Sequence, residues 1–432
     1  MPKQYKNIRK CRICGNHELI TVLNLGRQYL SSYFVKNNLM SKLSAKKIPL
    51  TLVLCDRGKN SSACGLVQLR ETVDRDLMYR EYFYRSAVNP MMRVALRNVV
   101  SDLRARVDFK KGDCVLDIGC NDGTMLTYFP KYLNRVGLDP AQNIDRTGLD
   151  KSIVVATDYF SKEKSLQLSG GALFKGITSI AMFYDLNDPN DFVSEIKSVL
   201  DQEGVWCIQL SYLASSIKTL NFYDICHEHL TYYSLKVLGN LMAKHGLYIF
   251  DATVNDVNGG SLIIFVTHSR NQRPVSANLR KLSLLENRLA LADASTYRVF
   301  AKKIENLKMT VRNFIKEENR NGGLVVGLGA STKGNVLLQF FDIRKNMLPF
   351  ISERNPEKVG LRTLGTDIEL ISEQKNRSLN PNAMLVLIWF FKDEIIKREK
   401  SYLAAGGKLF FPMPRPHIVT KEGEYEYKTI VA

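Results

Sequence analysis

Residues 115–126, Val-Leu-Asp-Ile-Gly-Cys-Asn-Asp-Gly-Thr-Met-Leu, constrain this chain more than any other stretch. Their apolar residues suit a strand buried on both faces. The glycines that follow let backbone approach a ligand where the chain turns into a helix. A nucleoside can lie across such strand ends. About twenty residues on, 135–140 reads Arg-Val-Gly-Leu-Asp-Pro, a second strand ending in Asp139. An acid there is placed to take ribose hydroxyls in nucleoside-binding α/β folds.

The spacing Asp117-x-Gly119-x-x-x-Gly123 differs from the G-x-G-x-x-G that cradles a dinucleotide pyrophosphate, which favours S-adenosylmethionine over NAD. The plain alternative is a tight strand-to-helix turn with no ligand. The loop resembles motif I of the class I S-adenosylmethionine-dependent methyltransferases. That resemblance implies that Asp117 and the backbone of Gly119, Asn121 and Gly123 face the methionine end of the cofactor. Asp158, in the turn after the third expected strand, is assigned to the adenine amino group.

At 432 residues the chain is too long for one ordinary core, and about three units are expected. No apolar run approaches the ~18 residues of a membrane span, and the basic start is not followed by a signal-peptide core, so a cytoplasmic enzyme with no membrane partner is expected. A formal charge of +18 permits a polyanionic partner. The basic residues never stand three together and are not interleaved with aromatics as a base-stacking platform requires, so nucleic acid is not the expected partner and a phosphate-bearing small molecule is.

Four of the eight cysteines lie in the first 64 residues as Cys11-x-x-Cys14, Cys55 and Cys64. Each pair is followed by glycine, the concession a thiolate turn asks for, and a closed four-sulfur structural zinc site is expected. His17 is a possible substitute ligand, one residue out of spacing. Residues 1–72 are thus read as a zinc-binding module.

Residues 73–270 are read as the methyltransferase domain. It opens with an aromatic-rich segment in which Tyr84 is a candidate lid residue over substrate, then a helix from Pro90. Strands are expected at 114–118, 136–139, 153–156, 177–182, 204–211, 246–254 and 261–267, alternating with helices as in a doubly wound α/β fold. Residues 271–432 are read as a helical linker and a smaller Rossmann-like α/β domain, with strands at 347–351 and 383–391. Its turn at 327–334 lacks the Gly-Lys-Ser/Thr ending of a triphosphate loop. Ser331 and Lys333 at a helix start still make an anion site, and Glu353 and Asn355 at a strand end suit a nucleotide ribose.

Between the two sheets, residues 221–234 concentrate two of six histidines, two acids and three tyrosines. His-Glu-His lacks the spacing of a zincin helix, whereas a histidine held by a carboxylate is a good general base near neutral pH. His229 is the expected base, with Glu228 orienting it.

The cysteine turns, the Asp117 loop, Cys226-His227-Glu228-His229, the 255–261 segment Asn-Asp-Val-Asn-Gly-Gly-Ser and the 327–334 turn together resemble the sugar C-methyltransferases acting on nucleotide-linked 4-keto hexoses. The resemblance implies methylation at C3 beside the keto group, a substrate gripped partly by His227 and Asn258, a nucleotide diphosphate in the last domain, and a monomer or weak dimer. Cys226 and Asp185 stand where best-known members carry tyrosine and histidine. A zinc-containing nucleic-acid methyltransferase and a non-catalytic zinc-containing binding module are the competing readings.

Overall fold

The computed structural model describes residues 5–36, 47–81, 85–88 and 90–427. Its centre is a seven-stranded sheet of β1 (Cys114–Ile118), β2 (Asn134–Leu138), β3 (Ile153–Ala156), β4 (Phe174–Ile180), β5 (Leu200–Ser211), β6 (Leu247–Asn255) and β7 (Ser261–His268). The spatial order is β6-β7-β5-β4-β1-β2-β3, with β7 antiparallel to both neighbours and the pairs from β5 to β3 parallel. All five residues of β1 are buried, as a strand covered on both faces must be. The order turns back between β1 and β4, which opens a crevice beyond their carboxyl ends. Gly119 follows β1 into that crevice, and Asp185 lies just past the end of β4.

A second, nine-stranded sheet is built round five parallel strands, Val325–Leu328, Phe350–Glu353, Glu369–Ser372, Ala383–Val386 and Lys408–Phe411. The strand expected at 347–351 starts three residues later. The one expected to reach 391 leaves the sheet after Val386, because Ile388, Trp389 and Phe391 turn away to cover a satellite core round Met384, Ile395 and Phe411.

The first module is not self-contained. Its sheet, Leu19–Gln28, Ile48–Cys55 and Val67–Leu69, takes its fourth strand from Thr231–Tyr232, and its own strand Phe34–Val35 edges the nine-stranded sheet. The expected boundaries at 72 and 270 are therefore crossed in both directions by strand pairing. So short a segment cannot bury its apolar face alone. Leu50, Leu52, Leu54 and Leu66 share one continuous core with Trp206, Phe222, Tyr233 and Ile315.

The expected helical link is two helices, Ala277–Leu289 and Ala294–Arg320, capped by the side chains of Ser276 and Asp293. The longer buries Tyr297, Phe300, Ile304, Leu307, Val311 and Phe314 at helical spacing, and it packs on Leu19–Gln28 and Val325–Leu328. Among the described residues, no helix is long and apolar enough to cross a membrane.

Candidate active site

The sulfurs of Cys11, Cys14, Cys55 and Cys64 lie within 4.8 Å of one another, with Cys11–Cys64 at 3.6 Å and Cys14–Cys55 at 3.5 Å. A tetrahedral zinc with ~2.3 Å bonds to sulfur sets its ligands about 3.8 Å apart, so the donor set fits a closed structural site. His17 stands outside it, exposed, with Nδ1 3.1 Å from the Arg9 carbonyl. Three residues past Cys64 begins the strand Val67–Leu69, which pairs with Thr231–Tyr232, and the Leu69 amide donates to the Leu230 carbonyl at 2.9 Å. The metal module thus holds the chain immediately after His229.

At the crevice, Gly119 and Gly123 take φ of 75° and 76°, and a Cβ on Gly123 would meet Leu149 at 2.7 Å. Asp117 accepts from Thr178 Oγ1 at 2.9 Å, and burial pushes its carboxyl up to about 7. Asp139 braces the glycine loop: Oδ2 accepts from the Asn121 amide at 2.9 Å, Oδ1 from the Ala141 amide at 2.9 Å and from Arg146 Nη2 at 3.0 Å. One lone pair of Oδ2 is left for a ligand hydroxyl. Arg146 also donates to the Asn121 carbonyl and to Thr157 Oγ1. Asp158 is exposed in the next turn and accepts from its neighbour's amide.

The second glycine turn repeats the device. Glu353, at the end of the adjacent strand, accepts from the Ala330 amide through Oε2 and from the Asn355 amide through Oε1, both at 2.8 Å. The side chain of Asn355 in turn accepts from the Glu357 amide at 3.0 Å. Ser331 caps the helix Thr332–Phe340 through the Gly334 amide. Lys358 reaches the Ala330 carbonyl at 3.2 Å, and burial holds its amine below the ordinary lysine range.

Lys333 departs from its expected free phosphate-binding role. Its Nζ is 2.6 Å from Asp224 Oδ1 and 3.2 Å from the carbonyl of Asn258, a residue held at φ 55°. A buried carboxylate is a stronger attractor than a solvated anion site, so the lysine turns inward. Asp224 also accepts from Ser211, and it lies 3.5 Å from His229 Nδ1, whose short bond, 2.7 Å, is to the Asp224 carbonyl. Burial works against the Asp224 carboxylate, but Lys333 and then His229 outweigh it and hold its pKa below the ordinary range. A carbonyl can only accept, so Nδ1 carries the proton and Nε2 keeps the lone pair. Burial first, with Lys333 assisting, holds His229 below the ordinary histidine value against the pull of Asp224 and Glu228.

The residue that orients His229 is thus Asp224, through its backbone carbonyl and with its carboxylate 3.5 Å from Nδ1, not the expected Glu228, whose effect on the ring is the weaker. His227 departs too: it is 1% exposed with Nε2 3.3 Å from the Ile48 carbonyl, so it ties the loop to the zinc module instead of facing substrate. Tyr84 lies outside the described residues. Sequence reasoning missed Asp224, Arg146 and Lys358. Asp224 lay inside the singled-out segment but was overshadowed by the acid next to histidine, and the other two belong to no motif.

Three family models tile the chain: a zinc binding domain at residues 11–79, a methyltransferase domain at 92–251 and a C-methyltransferase C-terminal domain at 256–414. C-methyltransferase NovU of Streptomyces niveus is 27% identical over 417 residues, covering 96% of this chain and 98% of the relative. The sphingolipid C9-methyltransferase of Candida albicans is 30% identical over 130 residues, 27% of this chain and 25% of that one. Among solved structures, the N-methyltransferase NodS of Bradyrhizobium japonicum WM9 is 15% identical with a TM-score of 0.32, covering 42% of this chain and 98% of NodS. The chain is an S-adenosylmethionine-dependent methyltransferase carrying the zinc-binding and C-terminal modules of C-methyltransferases, and its cofactors are S-adenosylmethionine and zinc.

Proposed function

We propose that this methyltransferase adds a methyl group to C3 of a nucleotide-linked 4-keto hexose through base-assisted enolate formation, in the making of a branched-chain sugar. The observation that carries the reading is His229, with Nδ1 committed to the Asp224 carbonyl and Nε2 kept as a base at the junction of the three modules. Methylation at a saturated carbon needs a proton removed first, and a hydrogen beside a ketone is acidic enough for imidazole once the enolate oxygen is stabilised. The resemblance to C-methyltransferase NovU along almost the whole chain supports it.

In this reading the Gly119–Gly123 backbone, Asp117 and Asp139 hold S-adenosylmethionine, which supplies an electrophilic methyl group. His229 Nε2 takes the C3 proton, and the electron pair of the broken C–H bond forms the new carbon–carbon bond. Asp224 steadies the imidazolium, and Lys333 keeps Asp224 ionised and in place. Asn258 and Ser331 stand beside the same lysine-bearing turn. The turn at 327–334, Glu353, Asn355 and Lys358 take the nucleotide, which makes a keto-sugar nucleotide and not a nucleic acid the partner.

The test is a panel of nucleotide 4-keto sugars with isotopically labelled cofactor, read by mass spectrometry with the label located at C3. Labelled RNA and unlabelled sugars would sink the proposal.

Replacing Asp139 by alanine is expected to weaken S-adenosylmethionine binding by about 10- to 100-fold, since a hydrogen bond to a charged acceptor is worth about 1.5–3 kcal/mol. Calorimetry decides it, and binding within twofold of the parent would refute the ribose assignment. Affinity should also fall as pH drops through about 7, because Asp117 binds a cationic ligand only when ionised and burial lifts it to that value.

Lys333→Met removes the cation that depresses His229, so the ring's pKa rises and the acid limb of the kcat profile moves to higher pH. It also leaves Asp224 buried without its ammonium, at a stability cost of about 3 kcal/mol. An unmoved acid limb would show that Lys333 acts elsewhere.

A further inference from the structure

Glu228 is 5% exposed, and neither of its carboxylate oxygens has a hydrogen-bond donor among the described residues. Asp185 Oδ1 is likewise buried without a partner among the described residues, although Tyr79 bonds to the same carboxyl. The two acids are pinned together. The Leu230 amide and Thr231 Oγ1 both donate to the Tyr184 carbonyl, at 2.9 and 3.1 Å, and Tyr79 donates to the Glu228 carbonyl at 3.0 Å. The Tyr184 ring lies 4.3 Å from the His229 ring, so the pair adjoins the proposed base.

A buried carboxyl whose described neighbours offer it no donor carries a desolvation cost that a ligand can relieve. The His229 reading leaves both acids without a task. A metal does not answer the need, because among the described residues only the four cysteines bring metal-ligating atoms close enough together. Nor does a protein cation, since the ammonium nearby is spent on Asp224. What fits is a ligand with two adjacent O–H donors.

We propose that Glu228 grips a vicinal diol of the sugar ring, one hydroxyl to each oxygen, with Asp185 as the neighbouring second contact, so that the substrate retains a C2 hydroxyl beside its C3 hydroxyl. This rests on the C3-methylation reading and narrows its substrate class. A carboxylate spans neighbouring hydroxyls in the way strand-end acids take the two hydroxyls of ribose. Burial, followed by the Glu228 charge, pushes the Asp185 carboxyl well above the ordinary range against a hydrogen bond from Tyr79. A carboxyl accepts through either oxygen and donates when protonated, so two adjoining acids can read a hydroxyl in both of its hydrogen-bonding roles. Where a histidine would add positive charge, this chain has an acid.

The experiment compares two nucleotide-linked 4-keto-6-deoxyhexoses that differ only in the C2 hydroxyl, on the zinc-loaded full chain. A site built to bond a hydroxyl rejects the analogue lacking it, so kcat/KM is expected to favour the hydroxylated sugar by about 100-fold. Glu228→Gln, isosteric and checked by zinc content and melting, should reduce that preference to about fivefold or less, with S-adenosylhomocysteine binding unchanged. The parent's own ratio decides the matter even if the variant misfolds. Equal use of both sugars, or a preference for the deoxy compound, overturns the diol assignment and leaves the C3-methylation reading standing. If neither sugar is methylated while the cofactor product binds, that reading falls and takes this one with it.

Discussion

Chelating the zinc, or replacing Cys64 by serine, should abolish methyl transfer while sparing cofactor binding. The metal is far from the chemistry in role but not in chain connection. Cys55 ends one strand of the zinc module and Cys64 precedes the next, Val67–Leu69, by three residues. That strand pairs in turn with Thr231–Tyr232, directly after His229 and Leu230. Structural zinc in small modules supplies about 10–16 kcal/mol of binding free energy that appears as folding free energy. Without it, a segment that cannot build its own core loses its turns, and the catalytic loop loses the strand it leans on. His227, bonded to the Ile48 carbonyl of the same module, loses its anchor as well.

One face of the seven-stranded sheet has a core of its own, round Val115, Val205, Cys207 and Phe265, that includes no residue of the zinc module, so the cofactor crevice should persist. Activity should fall by more than about 100-fold, in the range that losing a positioned general base produces. Hydrogen exchange at Leu69 and Tyr232 should rise, and S-adenosylhomocysteine affinity should change by less than about threefold. A zinc-free chain that retains full turnover would separate the metal from the loop.

How much of this was legible beforehand follows from how local each signal is. The loop at 115–126 and Asp139 were readable because a strand, a glycine turn and a strand-end acid are set by contiguous residues, and the sheet repeats the expected strand positions to within a few residues. The four cysteines were readable because thiolate spacing and glycine placement suffice. What could not be read is long-range. Strand Phe34–Val35 joins a sheet some three hundred residues away in the chain, and Thr231–Tyr232 joins the first module. Neither two-residue strand has a pattern of its own, and each exists because a partner edge is offered. The same holds for Lys333, whose helix-start position predicts an anion while the buried Asp224 across the domain seam decides where its ammonium goes.

His229→Asn should reduce methyl transfer by at least about 1,000-fold, the upper range for a positioned general base, while Cys226→Ala should stay within about tenfold of the parent. The two residues compete for the role because both lie in one buried turn, and cysteine is the better-known nucleophile. Their surroundings separate them. Cys226 is 1% exposed, and burial, followed by the charges of Glu228, Asp224 and Asp185, pushes its thiol well above the ordinary range. A thiol so placed stays protonated, and only a thiolate attacks. His229 is held below its ordinary value instead, so at neutral pH Nε2 is unprotonated and able to accept. The proposed reaction also has no use for an enzyme nucleophile, since in it the enolate carbon itself would attack the methyl group and alignment would supply much of the rate. Exchange of the C3 hydrogen in D2O without cofactor isolates the proton-transfer step. It should persist in Cys226→Ala and vanish in His229→Asn, with cofactor affinity unchanged in both. The opposite pattern would move the base to the cysteine and require its thiol to be ionised while buried beside Glu228 and Asp224.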